Sequence, residues 1–220
     1  MILTAYRLNL SSKTAIKNAF PLLLILAMGF ASCSGDYRRL TFNSAERDAY
    51  LKQLETFRQR KDMFFRSDSS SPLTGAQIKE FHHLDYYPPN LELIFRVRLL
   101  EEKSPERIGI PSTAGETRPA VRYGKFSFEI AGEKLRLYVY KMIGDESDEL
   151  FLPFTDETCG KTSYSGGRYI DLKENESGEY TLDFNYAYNP YCAYNHNYSC
   201  PIVPQENHLN AAIDAGEMIY

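Results

Sequence analysis

The stretch Val121-Arg122-Tyr123-Gly124-Lys125-Phe126-Ser127-Phe128-Glu129-Ile130 decides the fold class. Phe126, Phe128 and Ile130 occupy every second position, with Ser127 and Glu129 between them. Side chains two apart share one face of a strand, so this run reads as a strand with one buried side. Gly132 and Glu133 follow as a turn, and Leu135, Leu137 and Val139 then continue the same period. Two alternating runs around a tight turn predict a hairpin. On the N-terminal side, Leu91, Leu93, Phe95, Val97 and Leu99 alternate with Glu92, Arg96 and Arg98 as another half-buried strand. On the C-terminal side, Leu150–Phe154 is a short apolar strand beyond the acidic loop Gly144–Glu149. Arg168–Leu172 and Glu179–Phe184 are strands joined by the polar turn Glu174–Gly178. Lys103–Pro119 reads as a loop broken by Pro105, Pro111, Gly115 and Pro119, with one short strand at Ile108–Ile110. Short strands at close spacing with Gly and Pro turns predict a mainly β domain, a sandwich or barrel.

One or two helices precede the strands. Asn43 is a suitable N-cap, and Glu46 stands three residues later, as in a capping box. Tyr50, Leu51, Leu54 and Phe57 recur at helical spacing, and Arg58, Arg60 and Lys61 sit where cations suit the helix dipole. The helix should end before the polar linker Ser67–Pro72, and Thr74 caps a second short helix, Gly75–Phe81. Tyr87-Pro88-Pro89-Asn90 ends it. After Asn185 the chain is dense in Tyr, Asn and Pro without a clean period, and it closes in a tail around Ile213–Met218.

The N-terminus carries a different message. Arg7, Lys13 and Lys17 lead into the apolar run Phe20–Phe30, and Ala31-Ser32-Cys33 follows. A basic segment, a short apolar segment and small residues before a lone cysteine form the pattern of an export signal. The run is shorter than the ~20 residues that cross a hydrocarbon core. The Ala31-Ser32-Cys33 junction resembles a bacterial lipobox, in which the cysteine becomes the lipidated first residue; Phe30 departs from the usual aliphatic residue. The resulting expectation is a lipoprotein signal peptide over 1–32, a tether over 33–42 and a single mainly β domain over 43–220. The mature protein would be anchored to a membrane of the bacterial cell envelope through acyl chains on Cys33, on the periplasmic face. Multiple acylation gives stable anchoring where one chain does not.

Removing 32 residues takes away three of 25 Lys+Arg and none of 29 Asp+Glu, which leaves the remainder at a net charge of −7. That acidity argues against nucleic acid, whose phosphates demand a basic face, and against docking on anionic lipid heads. Cys159, Cys192 and Cys200 remain. Seven residues separate Cys192 from Cys200, so a disulfide is sterically open if a turn brings them together; three reduced buried thiols are the competing reading. Cys192, His196 and Cys200 stand four apart, but zinc shells favour paired ligands two to four residues apart on knuckles. No metal and no cofactor is expected. A Cys192 nucleophile would need a histidine in reach, and no catalytic signature surrounds it.

Several strings resemble the family known as domain of unknown function 1684. They are Lys61–Arg66, Ser71-Pro72-Leu73, Phe81–Asn90, Leu150–Asp156, Tyr164–Asp171, Leu182–Asn195, Cys200–Asn207 and Ala215-Gly216-Glu217. Cys159 departs from the family pattern. The resemblance implies a mostly β domain and implies no reaction.

The best polar cluster is Gly166-Gly167-Arg168-Tyr169 with Asp171. Arg168 and Asp171 could bind a carboxylate-bearing or sugar ligand; alternatively, Arg168 pairs with Asp156 or Asp183 and merely turns the chain. Asp183 and Asn185 share a strand face, and Asp183 with Asp171 could form the carboxyl pair of a glycosidase. Tyr188 and Asn189 belong to a tyrosine-rich run with Tyr186, Tyr191, Tyr194 and Tyr198. That run could stack on sugar rings; the competing reading is that it covers the sheet. The expected function is an envelope lipoprotein whose β domain binds a small molecule, a glycan or a protein partner through these residues. The alternatives are a hydrolase of an envelope or glycan substrate and a structural envelope protein.

Overall fold

The computed structural model describes residues 36–144 and 149–220. The segment read as an export signal and Cys33 lie outside the described residues. Helix α1, Ser44–Ser67, opens on the expected box: Asn43 Oδ1 accepts from the Glu46 amide at 3.0 Å, and the Asn43 amide donates to Glu46 Oε2 at 2.9 Å. Thr74 and Gln77 repeat this device at α2, Gly75–Glu80. Leu54 and Phe65 are the buried residues of α1; the rest of the helix stays at or near the surface. Among the described residues no helix is long and apolar enough to cross a membrane.

Among the described residues the eight strands are β1 Tyr37–Arg39, β2 Ile94–Arg98, β3 Leu100–Pro111, β4 Thr117–Ile130, β5 Glu133–Met142, β6 Glu149–Phe154, β7 Arg168–Lys173 and β8 Glu179–Asp183. They form a three-stranded sheet in the order β1-β2-β8 and a five-stranded sheet in the order β3-β4-β5-β6-β7. Every pair is antiparallel. The architecture is sandwich-like and not a closed barrel. One core joins the sheets: Phe95, Val97 and Leu182 from the smaller pack with Phe126, Phe128, Leu137, Leu152 and Ile170 from the larger. The alternation that predicted the β4–β5 hairpin is what fills this core. The hairpin turns on Ala131 and Gly132, with φ of 52° and 86°. Two left-handed residues in a two-residue loop match the right-handed twist of the strands.

Three segments differ from expectation. The short strand expected at Ile108–Ile110 is the end of the long strand β3, to which residues 103–107, read as loop, also belong. Pro105 is accommodated because β3 lies at a sheet edge and its pairing shifts register between Glu101 and Glu106. The segment expected as a tether contributes β1, which pairs Tyr37 with Val97, while the Leu40 amide donates to the Ile94 carbonyl at 2.9 Å. The strand expected from Leu91 begins at Ile94, since Asn90 Oδ1 caps a short 3-10 turn over Leu91–Leu93.

The tyrosine-rich segment lies against β7. Tyr169 and Tyr188 exchange backbone bonds of 2.9 and 3.0 Å. The C-terminal tail then crosses this region, with the Glu217 amide donating to the Ala187 carbonyl and the Met218 amide to the Asp85 carbonyl.

Candidate functional site

Strand β7 distributes the predicted cluster between two faces. Gly167 admits the chain: its φ is +89°, and a Cβ there would meet the Phe154 carbonyl oxygen at 2.5 Å. Arg168 and Ile170 then point into the core, while Tyr169 and Asp171 point outward under α1 and the tyrosine-rich segment.

Arg168 is fully buried and engaged. Its Nη2 pairs with Asp156 Oδ2 at 2.8 Å and donates to the Ile213 carbonyl at 2.8 Å. Its Nη1 donates to the carbonyls of Ala215 and Glu217. The rings of Tyr87 and Phe154 lie 5.6 and 5.3 Å from the guanidinium carbon. This is the pairing with Asp156 that the sequence left open. It closes the tail onto the sheet and presents no face to a ligand, so the ligand-binding role considered for Arg168 has no geometry here.

Glu217 is the second buried anchor, 1 % exposed. Its Oε2 accepts from the Asn189 amide at 2.7 Å and from the Tyr194 hydroxyl at 2.6 Å, and its Oε1 pairs with Lys61 Nζ at 2.5 Å. One carboxylate thus joins helix α1, the tyrosine-rich run and the tail. Asn189 also donates from Nδ2 to the Met218 carbonyl at 2.7 Å, so it serves the same junction. Burial and the adjacent Glu217 charge hold the Tyr194 phenol protonated, well above its usual range.

Lys61 reaches from this pair over the Tyr188 ring, 4.7 Å from its centroid. Here a cleft of about 540 Å³ opens. Tyr169, Asp171 and Tyr188 line it from the sheet side, Phe57, Lys61 and Phe64 from α1, and Tyr191 and Tyr198 from the tyrosine-rich run. The Tyr188 hydroxyl donates to Asp171 Oδ2 at 2.5 Å. Solvent reaches Asp171 at the cleft mouth, but the surrounding walls thin its water and push its carboxyl above the ordinary range. Burial, with Asp171 beside it, likewise raises the Tyr188 phenol, which therefore remains a donor.

Asp183 and Asn185 stand apart from this arrangement. Asp183 Oδ2 accepts from the Tyr50 hydroxyl at 2.8 Å, and its Oδ1 accepts from the amide and side chain of Asn185, both at 2.9 Å. Asn185 in turn exchanges bonds with the Asn90 backbone at 2.7 and 2.9 Å. Both residues fix the exit from β8. Asp183 does line a neighbouring cleft of about 410 Å³ that Asp171 also borders. Cys192 and Cys200 are buried thiols, with the Cys192 amide donating to Cys200 Sγ at 3.2 Å. Among the described residues no three His, Cys, Asp or Glu side chains converge as a metal shell.

The cluster read from sequence is therefore split. Tyr169, Asp171 and Tyr188 meet in one cleft; Arg168, Asn185 and Asn189 are interior fasteners. Sequence reasoning missed Lys61, Phe57 and Phe64, which looked like an ordinary helix end. Their spacing does place them on one face of α1.

Residues 79–218 match the family described as "Protein of unknown function (DUF1684)". The chain belongs to this family. The solution NMR structure of an uncharacterized protein from Haloarcula marismortui is similar to it: 34 % identical, covering 80 % of this chain and 97 % of that one, with a TM-score of 0.62. No curated protein matches the chain. DUF1684 membership fixes the domain without naming a reaction, so the chemistry rests on the cleft itself.

Proposed function

We propose that this DUF1684 protein is a lipid-anchored envelope protein whose β domain binds a small hydroxylated ring molecule, a sugar, in the cleft between β7 and α1. The observation that carries the reading is the meeting of Asp171, Tyr188 and Lys61 in a cleft whose walls include Phe57, Phe64, Tyr191 and Tyr198. Small-ligand sites run to about 300–1,000 Å³ and combine apolar walls with a few placed polar groups; this cleft has about 540 Å³ and that composition. Among the described residues Asp171 Oδ1 has no hydrogen-bond partner, so it can accept from a ligand hydroxyl while Oδ2 is held by Tyr188. Tyr191 and Tyr198, packed edge to face at 5.3 Å, offer a wall for the ring body.

Saturation-transfer NMR with glucose and N-acetylglucosamine disaccharides tests the reading. The wild type should transfer saturation to sugar ring protons, and Tyr188→Phe should weaken binding by about tenfold, the equivalent of one net hydrogen bond. Absence of transfer to every disaccharide would exclude a sugar site. The anchor rests on the Arg7–Cys33 pattern. Metabolic labelling with a fatty-acid probe should mark the wild type and fail on Cys33→Ala; equal labelling of both removes the anchor.

A hydrolase reading has one specific support: Asp171 and Asp183 border the same neighbouring cleft, and burial raises both carboxyls. Binding is favoured over it because Asp183 already spends both oxygens on Tyr50 and Asn185.

A further inference from the structure

We propose that Cys192 and Cys200 are a redox-active dithiol that closes into a disulfide in the wall of the cleft. The two cysteines lie in contact: the Cys192 amide points at Cys200 Sγ, 3.2 Å away. Both backbones are already fixed. The Thr113 amide donates to the Cys200 carbonyl at 2.9 Å, and the Cys200 amide returns a bond to Thr113 Oγ1 at 3.0 Å. Cys192 sits in a 3-10 turn closed by the Ala193 amide on Pro190 and the Asn195 amide on Tyr191. These bonds hold both residues in place with the Cys200 sulfur against the Cys192 backbone. Cys159 belongs to a separate turn, where its thiol faces Ser163 and Asp156.

The sulfurs are approached from two sides. Cys200 lines the large cleft, and Cys192 lines a smaller one of about 220 Å³ with Tyr164 and His196. Around Cys192 the Cys200 thiol and the Tyr164 hydroxyl, 3.9 Å away, can donate to a sulfur anion. These donors lower the Cys192 thiol below its ordinary range against the opposing effect of burial, while Cys200 is held above it. Cys192, with the Tyr164 hydroxyl beside its sulfur and the smaller cleft open to it, is the attacking sulfur.

The chemistry is thiol–disulfide exchange with a small-molecule disulfide as oxidant. Cys192 thiolate attacks one sulfur of the oxidant, forms a mixed disulfide and expels one thiolate. Cys200 then loses its proton, attacks Cys192 Sγ and expels the second thiolate. The protein gives up two electrons and two protons, and the oxidant becomes two thiols. The bridge would close the segment 193–199, which carries Tyr194 and Tyr198, and so would staple the lip of the cleft.

The test equilibrates the full chain in glutathione buffers of increasing oxidised fraction, quenches with acid, alkylates and maps peptides by mass spectrometry. The expected result is a Cys192–Cys200 linked peptide lighter by two hydrogens, with Cys159 alkylated throughout. The Cys200→Ser variant should trap glutathione on Cys192. In the wild type, hydrogen exchange of the Tyr194 and Tyr198 amides should slow at least tenfold on oxidation. Alkylation of both Cys192 and Cys200 in the most oxidising buffer overturns the proposal. So does a bridge that recruits Cys33 or Cys159, or a glutathione adduct on Cys192 that the wild type fails to resolve. Because the wild-type map carries the main result, misfolding of the variant leaves the decision intact.

Discussion

Arg168 and Asp171 stand three residues apart on β7, yet they belong to different parts of the molecule. Arg168 faces inward, has no exposure and is held by Asp156 and by carbonyls of the tail. Asp171 faces outward, takes one bond from Tyr188 and lines the cleft. Strand pleat alone makes this division, since residues an odd number apart point to opposite sides. A polar cluster in a strand is therefore two clusters. The inward half carries stability and the outward half is available for chemistry. The same contrast recurs around Glu217, which fastens three segments, and Lys61, which carries the other end of that pair to the rim of the cleft.

The largest expected effect breaks the inward half. Arg168→Met leaves the Asp156 carboxylate buried without its cation and strands the carbonyls of the tail. Losing one partner of a buried pair costs about 3–5 kcal/mol, so urea unfolding should show that loss or a chain that no longer folds. Removing the counter-charge as well should recover part of it: Arg168→Met with Asp156→Asn should be more stable than Arg168→Met alone. If the single variant unfolds within about 0.5 kcal/mol of wild type, the anchor assignment fails, because that is the range of ordinary surface changes.

Glu217→Gln comes next. It keeps the shape of the junction but removes the charge that Lys61, Tyr194 and the Asn189 amide share. Hydrogen bonds to charged groups contribute roughly 1.5–3 kcal/mol, and a loss in that range is expected, smaller than for Arg168 because Lys61 retains some contact with water. Amide exchange should quicken in the tyrosine-rich run and the tail together. Acceleration in only one of them would show that the carboxylate does not couple them.

How much of this was open to sequence reading follows from the same geometry. The β4–β5 hairpin was legible because Phe126, Phe128, Leu135 and Leu137 are buried by period-two alternation, and that pattern survives without any knowledge of partners. The capping box at Asn43 was legible because all its atoms lie within four residues. Strand β3 was legible only at Ile108–Ile110: Pro105 is tolerated because it sits at an edge with a register shift, which is a property of the sheet. The site was half legible. Tyr169, Asp171 and Tyr188 drew notice as polar or aromatic residues in one region, but Arg168 and Asn189 drew the same notice for the opposite reason. Composition does not say which face a residue takes until the strand's inward face is known. Lys61 was invisible because its partners, Glu217 and Tyr188, lie more than 120 residues away.

The outward half predicts small stability changes with large binding changes. Tyr188→Phe removes one hydroxyl at the cleft and should cost about 1 kcal/mol or less in urea unfolding, while the tenfold loss of disaccharide binding expected above remains. A loss of several kcal/mol would mean that Tyr188 is an interior fastener like Arg168 and would erase the contrast between the faces.

The subtlest effect is the pH dependence contributed by Asp171. Its carboxyl ordinarily titrates near 3.8 and is raised in the fold, chiefly by the walls that exclude water, with the Tyr188 bond opposing. A raised carboxyl means that the folded state holds the proton more tightly than the unfolded state. Its contribution is then fully present at pH below 3.8 and is lost as pH climbs through the higher folded value. Asp171→Asn deletes this titration, so the stability of the variant relative to wild type should increase as pH rises through that window and level off above it. The measurement is a set of urea curves for both proteins across acidic to neutral pH. A difference that shrinks with rising pH would reverse the sign, showing that the Tyr188 bond and the nearby Lys61 charge outweigh desolvation. The outward face would then favour a carboxylate before any ligand arrives.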